Sequence, residues 1–250
     1  MRTYLLESKY ELFKALRLPA YSLPTILFPV VFYVFFGVMF GGRSVGSVKM
    51  AEYLIATYGA FGVIGASLFG FGVSVAIERG QGWLEAKRTT PMPVSAYFFA
   101  KTVMAMTFSS AIIVLLFTMG TLFSGVQLAP MRALALFGVL VSGSITFCAL
   151  GLCVAFIAGP NSAAPIVNLI YLPMAFLSGL WIPVQMLPKA VQKIALWLPP
   201  YHYSQLALKV IGADRGGSAL VHVAAMVAFT VLFTALAYIG YRRDEGKMYG

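Results

Sequence analysis

Charged and titratable side chains are scarce in this chain of 250 residues, so the place where they gather stands out. It runs Glu78-Arg79-Gly80-Gln81-Gly82-Trp83-Leu84-Glu85-Ala86-Lys87-Arg88-Thr89-Thr90-Pro91-Met92-Pro93. Two carboxylates, three cations and an indole can form ion pairs and dock against a protein surface; with no His or Cys, they offer no metal site and no nucleophile–base pair. The flanking stretches Tyr53 to Ile77 and Thr102 to Ser124 contain no Asp, Glu, Lys, Arg or His. The island therefore lies outside lipid, and it is read as the place where the protein meets another protein.

Chemistry elsewhere is limited. No stretch matches Gly-x-x-x-x-Gly-Lys-Ser/Thr and no soluble segment is large enough for a nucleotide-binding domain, so the chain is not expected to hydrolyse ATP itself. Cys148 and Cys153 point about 140° apart around one helix and cannot bridge each other there. His202, between Tyr201 and Tyr203, and His222 are read as membrane-interface residues and not as ligands or bases. Proton- and ion-coupled transporters commonly keep ionisable groups at membrane depth; here the apolar stretches have almost none. Uphill transport would need energy delivered from outside the membrane.

The elements that must position the island are membrane helices. The chain is 60% hydrophobic and 10% charged, with mean hydropathy +0.86, whereas a soluble domain is roughly a quarter charged. Its net charge of +10 is spread over short loops and not gathered into one stripe, which argues against nucleic acid and for an anionic membrane leaflet. Six apolar segments approach the roughly 20 residues that cross a bilayer as a helix: Leu23 to Phe40, Tyr53 to Ile77, Thr102 to Ser124, Ala133 to Ile157, Ala163 to Ile182 and Ala219 to Tyr241. With both termini inside, the inner segments hold eleven Lys and Arg and the outer ones seven. The positive-inside rule then places both termini and the island in the cytoplasm.

Residues Arg2 to Leu18 read as an amphipathic helix, Leu5, Leu6, Leu12, Phe13 and Leu16 on one arc and Glu7, Glu11 and Lys14 facing away. It would lie along the inner interface, as an anchor or a partner contact, before Pro19 and Pro24 turn the chain into the bilayer. The N-terminus lacks the pattern of a signal peptide and is expected to stay in the mature protein. Gly59, Gly62, Ala66, Gly70 and Ser74 line one face of the second span for close helix packing. Pro165 and Pro173 interrupt the fifth span, with Asn161, Ser162 and Asn168 towards its inner half; this helix is the expected pathway wall. After Pro183, a helix opened by Pro188 sets Leu187, Val191, Ile194 and Leu198 against Lys189, Gln192 and Lys193. It reads as an outer interfacial helix with Trp197, Tyr201, His202 and Tyr203 at headgroup depth.

Within the island, Gly80 and Gly82 end the second span, Trp83 to Arg88 make about one and a half helical turns, and Pro91 and Pro93 stop them. Glu85 and Arg88 can pair on its surface. A short stiff helix between two membrane helices is a lever; an ordinary charged loop is the plainer alternative.

The order of elements resembles the permease subunit of type-2 ATP-binding-cassette exporters, in the drug-resistance-like branch. The resemblance rests on Glu78, Gly82, Leu84-Glu85 and Thr90-Pro91, then Phe176-Leu177-Ser178-Gly179, Pro183, Leu187-Pro188 and Pro200-Tyr201. It implies an all-α integral membrane protein of six transmembrane helices, with an N-terminal interfacial helix, a cytoplasmic coupling helix and an outer re-entrant helix before the last span. One transmembrane domain, residues 1–250, would divide into an interfacial helix (1–22), spans one and two (23–77), a coupling segment (78–101), spans three to five (102–182), an outer re-entrant region (183–218) and the last span with its tail (219–250). Trp83 to Arg88, among them Leu84, Glu85 and Arg88, would be a coupling helix seated on an ATPase subunit, flanked by Pro91, with Glu78 and Arg79 in a polar cluster under the membrane.

The resemblance further implies two permease copies, a homodimer or heterodimer, with two ATPase copies that hold ATP and Mg; this chain itself would bind no cofactor or metal and have no catalytic residue. A path lined partly by the second and fifth spans would take in Tyr58, Phe61, Asn168, Tyr171 and Phe176, with Ser178, Gly179, Pro183 and Pro188 in the re-entrant region near the exit. Expected cargo is an amphipathic or hydrophobic, drug- or lipid-like compound exported across a bacterial-type inner (plasma) membrane. Alternatives are polysaccharide or glycolipid export, and a membrane enzyme or biogenesis factor without an ATPase. Where the family carries small residues, this chain has Arg79-Gly80-Gln81-Gly82-Trp83.

Overall fold

The structure is a computed structural model that describes residues 1–89 and 92–246, the side chains of Val38, Leu84, Glu85, Arg88 and Glu245 excepted. Helix α1 (Arg2–Leu16) leads directly into α2 (Pro19–Phe40). A small antiparallel hairpin, β1 (Ser44–Val45) and β2 (Val48–Lys49), precedes α3 (Met50–Ser67), which continues through a π-helical stretch (Leu68–Val73) into α4 (Ser74–Gly80). Then follow α5 (Trp83–Arg88), α6 (Val94–Ser124), α7 (Pro130–Ile157), α8 (Ala163–Leu177), a 3-10 turn (Val184–Met186), α9 (Lys189–Ala195), α10 (Pro199–Ile211) and α11 (Ala219–Gly246). Five helices are long and apolar enough to cross a membrane, and α8 is a shorter apolar one. An all-α, multi-pass membrane fold is the result.

The continuous helix Met50–Gly80 is the central post, 83% buried along its most apolar stretch where α11 is 11% buried. Its small residues serve packing inside this chain. At its crossing with α7, a Cβ on Gly72 would stand 2.8 Å from the Gly151 carbonyl oxygen, so only glycine lets the two backbones meet. Gly72 lies in the π-helical stretch, where Ser74 Oγ donates to the Gly70 carbonyl at 2.6 Å. Such a π stretch widens a helix and recurs at functional sites.

Several boundaries differ from expectation. The chain turns at Arg17 and Leu18: Pro19 opens α2, where its missing N–H is harmless, but Pro24 and Pro29 both lie inside the helix. They leave the Ala20 and Thr25 carbonyls without their i+4 donors. Helix α6 begins at Val94, not Thr102, so Lys101 sits two turns inside it. Helix α8 stops at Leu177, five residues before Ile182, because Gly179 adopts φ +78° and closes a Schellman motif, with Leu180 N donating to Ala175 O and Gly179 N to Phe176 O, both at 3.1 Å. Its 15 residues span about 22 Å.

Residues 183–218 hold, besides α9, a further helix that the sequence does not lead one to expect. Helix α10 packs on α3, α7 and α11; Tyr203 is buried in this packing, and Tyr201 is buried in a small cluster with Val184, Leu187 and Ala195. Tyr203 Oη donates to the Leu140 carbonyl in α7, so its polar end is satisfied inside the protein. Trp197 is 81% exposed.

Candidate coupling site and membrane cleft

At the end of the bundle that carries α5, the charges converge. Helix α1 turns its apolar arc outward, Leu5, Leu6, Phe13 and Leu16 all being exposed, and its Glu7–Glu11–Lys14 stripe inward. Residues spaced by four and three share one helical face, so this stripe meets the protein as a row. Glu11 pairs with Lys101 of α6, Lys14 with Glu78 of α4, and Glu7 with Lys87 of α5. Lys101, 1% exposed, also reaches Glu78 Oε1 at 2.7 Å and Ser74 Oγ at 3.0 Å. Tyr97 Oη donates to the second Glu78 oxygen, and Lys87 Nζ lies 4.6 Å above the Tyr97 ring.

Among the described residues, three carboxylates and three ammonium groups meet in one network that joins α1, α4, α5 and α6. Burying unpaired charges would be prohibitive, whereas a matched and hydrogen-bonded set survives. Burial of Lys14 lowers its affinity for a proton, but the hydrogen bond and charge of Glu78, helped by Glu11 and Glu7, outweigh this and raise its pKa above 10.5. Beside the network, Arg79 donates to Asp244 of α11 at 3.0 Å and to the Ala158 carbonyl, at the end of α7, at 2.9 Å. The short helix α5 is therefore tied, through Lys87 and its neighbours, to the ends of the long helices.

Glu78 and Arg79 stand in this polar assembly. Trp83 is 52% exposed, with Lys14 Nζ 5.4 Å from its ring centroid, so about half of the side chain is accessible. Leu84, Glu85 and Arg88 belong to the α5 backbone, and the expected Glu85–Arg88 pairing and Pro91 lie outside the described side chains and residues. Glu7, Glu11, Lys14, Tyr97 and Lys101 were missed. The i, i+4, i+7 charge stripe on the first helix is visible in the sequence, but an amphipathic helix at an interface ordinarily keeps its charges wet, so the sequence points the stripe to water.

A second feature opens in the membrane region between α2, α3 and α8: a cleft of about 430 Å³. Asn168 and Tyr171 line it with Tyr21, Phe28 and Phe69, as do Ala20 and Thr25, the residues whose carbonyls the α2 prolines release. The proline signal read on the fifth span therefore applies to α2 as well. Tyr21 Oη is buried and without a hydrogen-bond partner among the described residues. Phe61 and Tyr58 form the aromatic backing, not the lining: Phe61 stacks on Tyr171 with centroids 4.7 Å apart, and Tyr171 Oη donates to the Phe61 carbonyl at 2.8 Å. Phe176 lies beyond the cleft, its ring 6.4 Å from that of Trp181. Ser178 and Gly179 make the turn after α8, while Pro183 and Pro188 precede the 3-10 turn and α9.

His202 and His222 face each other, Nδ1 to Nδ1 at 2.9 Å, and His202 Nε2 lies 3.0 Å from the Leu196 carbonyl. They join α10 to the start of α11, and His222 is 8% exposed.

Long apolar helices around a buried post, an apolar cleft among them and an ion-pair network under a short terminal helix define a multi-pass membrane protein of the transport-permease class. A family model described as "ABC-2 type transporter" matches residues 4–212, and the chain belongs to that family. It is also similar to the Bacillus subtilis (strain 168) protein named "Putative transport permease YvfS", 27% identical over 240 residues that cover 96% of this chain and 97% of the relative. The chain is a membrane permease of an ATP-binding-cassette transporter, a family that implies an ATP-binding-cassette partner.

Proposed function

We propose that the chain is the non-catalytic permease subunit of an exporter, that two copies assemble with two ATPase subunits, and that ATP and Mg act only on those partners. Both termini and α5 face the cytoplasm, and the complex works in a bacterial-type inner membrane. The observation that carries this reading is the ion-pair network around Glu78 and Lys101. It ties α5, which has an exposed Trp83 to offer a partner, to α1, α4 and α6, so that movement of a docked ATPase is transmitted to the central post.

The cargo is an amphipathic or hydrophobic compound, drug- or lipid-like, taken from the cytoplasm or inner leaflet. A cleft of about 430 Å³ lies in the range that holds drug-sized ligands, and its mostly apolar walls with few polar groups suit such a molecule. Asn168 would orient its polar part.

Co-expression with a candidate ATP-binding-cassette ATPase from the same organism tests both halves. The two proteins should co-purify, and Trp83→Ala should reduce substrate-stimulated ATP hydrolysis several-fold while leaving expression unchanged. Asn168→Leu should raise the half-saturating concentration of a transported amphiphile and leave basal hydrolysis alone. A permease that purifies alone and is indifferent to the ATPase would refute the reading.

A further inference from the structure

At the end of the bundle opposite α5, cations gather where the positive-inside rule disfavours them. Residues 183–218 contain Lys189, Lys193, Lys209 and Arg215 but only one carboxylate, Asp214. Asp214 is already engaged, by Lys209 Nζ at 3.2 Å and by the Gly216 N–H at 3.1 Å. The other three cations converge on one concavity of about 310 Å³, lined by Lys189, Gln192, Lys193, Leu196 and Arg215. No carboxylate lines it, and none is paired with these three cations among the described residues.

The cup is held in shape. Gln192 donates its amide N–H to the Leu187 carbonyl at 2.8 Å, which turns its oxygen towards Arg215, whose Nη2 donates to it at 3.2 Å. The Arg215 backbone N–H is fixed by Gln205 Oε1 at 2.9 Å. Lys189 and Lys193 lie four apart on α9 and so share a face. Beside them, Ile194 and Trp197 are exposed, an apolar rim with an amphipathic aromatic of the kind that settles at headgroup depth.

We propose that Lys189, Lys193 and Arg215 bind the phosphate of an anionic phospholipid headgroup in the outer leaflet, with Trp197 and Ile194 seated in the adjoining acyl boundary. This rests on the proposed orientation with both termini in the cytoplasm. Three cations without a carboxylate select an anion, a guanidinium matches phosphate oxygens in a bidentate fork, and the apolar rim favours a lipid-borne phosphate over a free one. The site explains why so many cations persist in an outer segment, and it would anchor α9 and the connection into α11.

The test is native mass spectrometry of the full-length protein titrated with phosphatidylglycerol or phosphatidylcholine. Wild type should retain phosphatidylglycerol preferentially. Each single substitution, Lys189→Gln, Lys193→Gln or Arg215→Gln, should weaken it roughly fivefold, and the triple variant on the order of a hundredfold. Arg43→Gln with Lys49→Gln, at the same end but outside the cup, should change nothing. Equal retention by wild type and the single variants overturns the site, and displacement of the lipid by millimolar inorganic phosphate overturns the lipid as its ligand. Sidedness is read separately: Lys193→Cys in intact cells should react with a membrane-impermeant maleimide, and absence of reaction refutes the orientation whatever the binding result.

Discussion

Lys101 shows how much one side chain carries in this protein. Its ammonium is enclosed with Glu11 on one side, Glu78 on the other and Ser74 beneath. Replacing it with Met removes the ammonium that Glu11 and Glu78 share, leaving Lys14 and the Tyr97 hydroxyl on Glu78. A cost of about 3–5 kcal/mol is expected from breaking such a buried pair, read as a lowered unfolding midpoint in detergent. Combining Lys101→Met with Glu11→Leu leaves the neutral Lys14–Glu78 pair, and the midpoint should recover in part; a double variant worse than the single would contradict the charge balance. The raised Lys14 pKa adds a pH signature. The group binds its proton more tightly folded than unfolded, so its contribution is complete below 10.5 and fades as pH rises through the folded value. An alkaline unfolding scan should show this fall in wild type, and Lys14→Met should remove that component.

At the scale of elements, two junctions decide the outer half. The turn after α8 depends on Gly179, where φ is +78° and a Cβ would stand 2.7 Å from the Val184 Cβ. Gly179→Ala should cost about 1–3 kcal/mol in unfolding free energy. The α10–α11 junction depends on the histidine pair. Burial lowers the His202 pKa, opposed more weakly by its hydrogen bond to Leu196. A depressed folded pKa stabilises above the unfolded value of about 6.5 and loses that contribution as pH falls. Facing imidazoles also cannot both be charged without losing the Nδ1–Nδ1 hydrogen bond. Thermal stability should therefore drop between pH 7.5 and 5.5, and His202→Asn should flatten that dependence; an identical slope in the variant would exclude this pair as its source.

For the whole molecule, the question is whether a displacement of α5 reaches the central helix Met50–Gly80. The Lys87–Glu7 pair links α5 to α1, and α1 in turn grips α4 and α6 through Lys14 and Glu11. Reversing one member, Lys87→Glu, should uncouple substrate from ATP hydrolysis in the assembled transporter. The swap of both, Lys87→Glu with Glu7→Lys, should restore a large part of the stimulation. Failure of the swap, with both single variants folded, would show that the pair does not transmit the push.

Much of this architecture was legible in the residues themselves. Apolar length fixes which segments cross the bilayer, because a backbone without water must satisfy itself as a helix. Charge scarcity fixes where the island of Glu78 to Pro93 must lie. Resemblance at Leu84-Glu85 and at Phe176 to Gly179 identified the family. What only the tertiary structure decided is how distant residues pair. The Glu7–Glu11–Lys14 stripe carries the same helical periodicity whether it faces water or protein, and only packing against Lys87, Glu78 and Lys101 shows that it points inward. Tyr203 beside His202 has the local signature of an interfacial aromatic, yet close approach to Gly143 and a hydrogen bond to Leu140 bury it. Periodicity reports the existence of a face; its partner is set by contacts far apart in the chain.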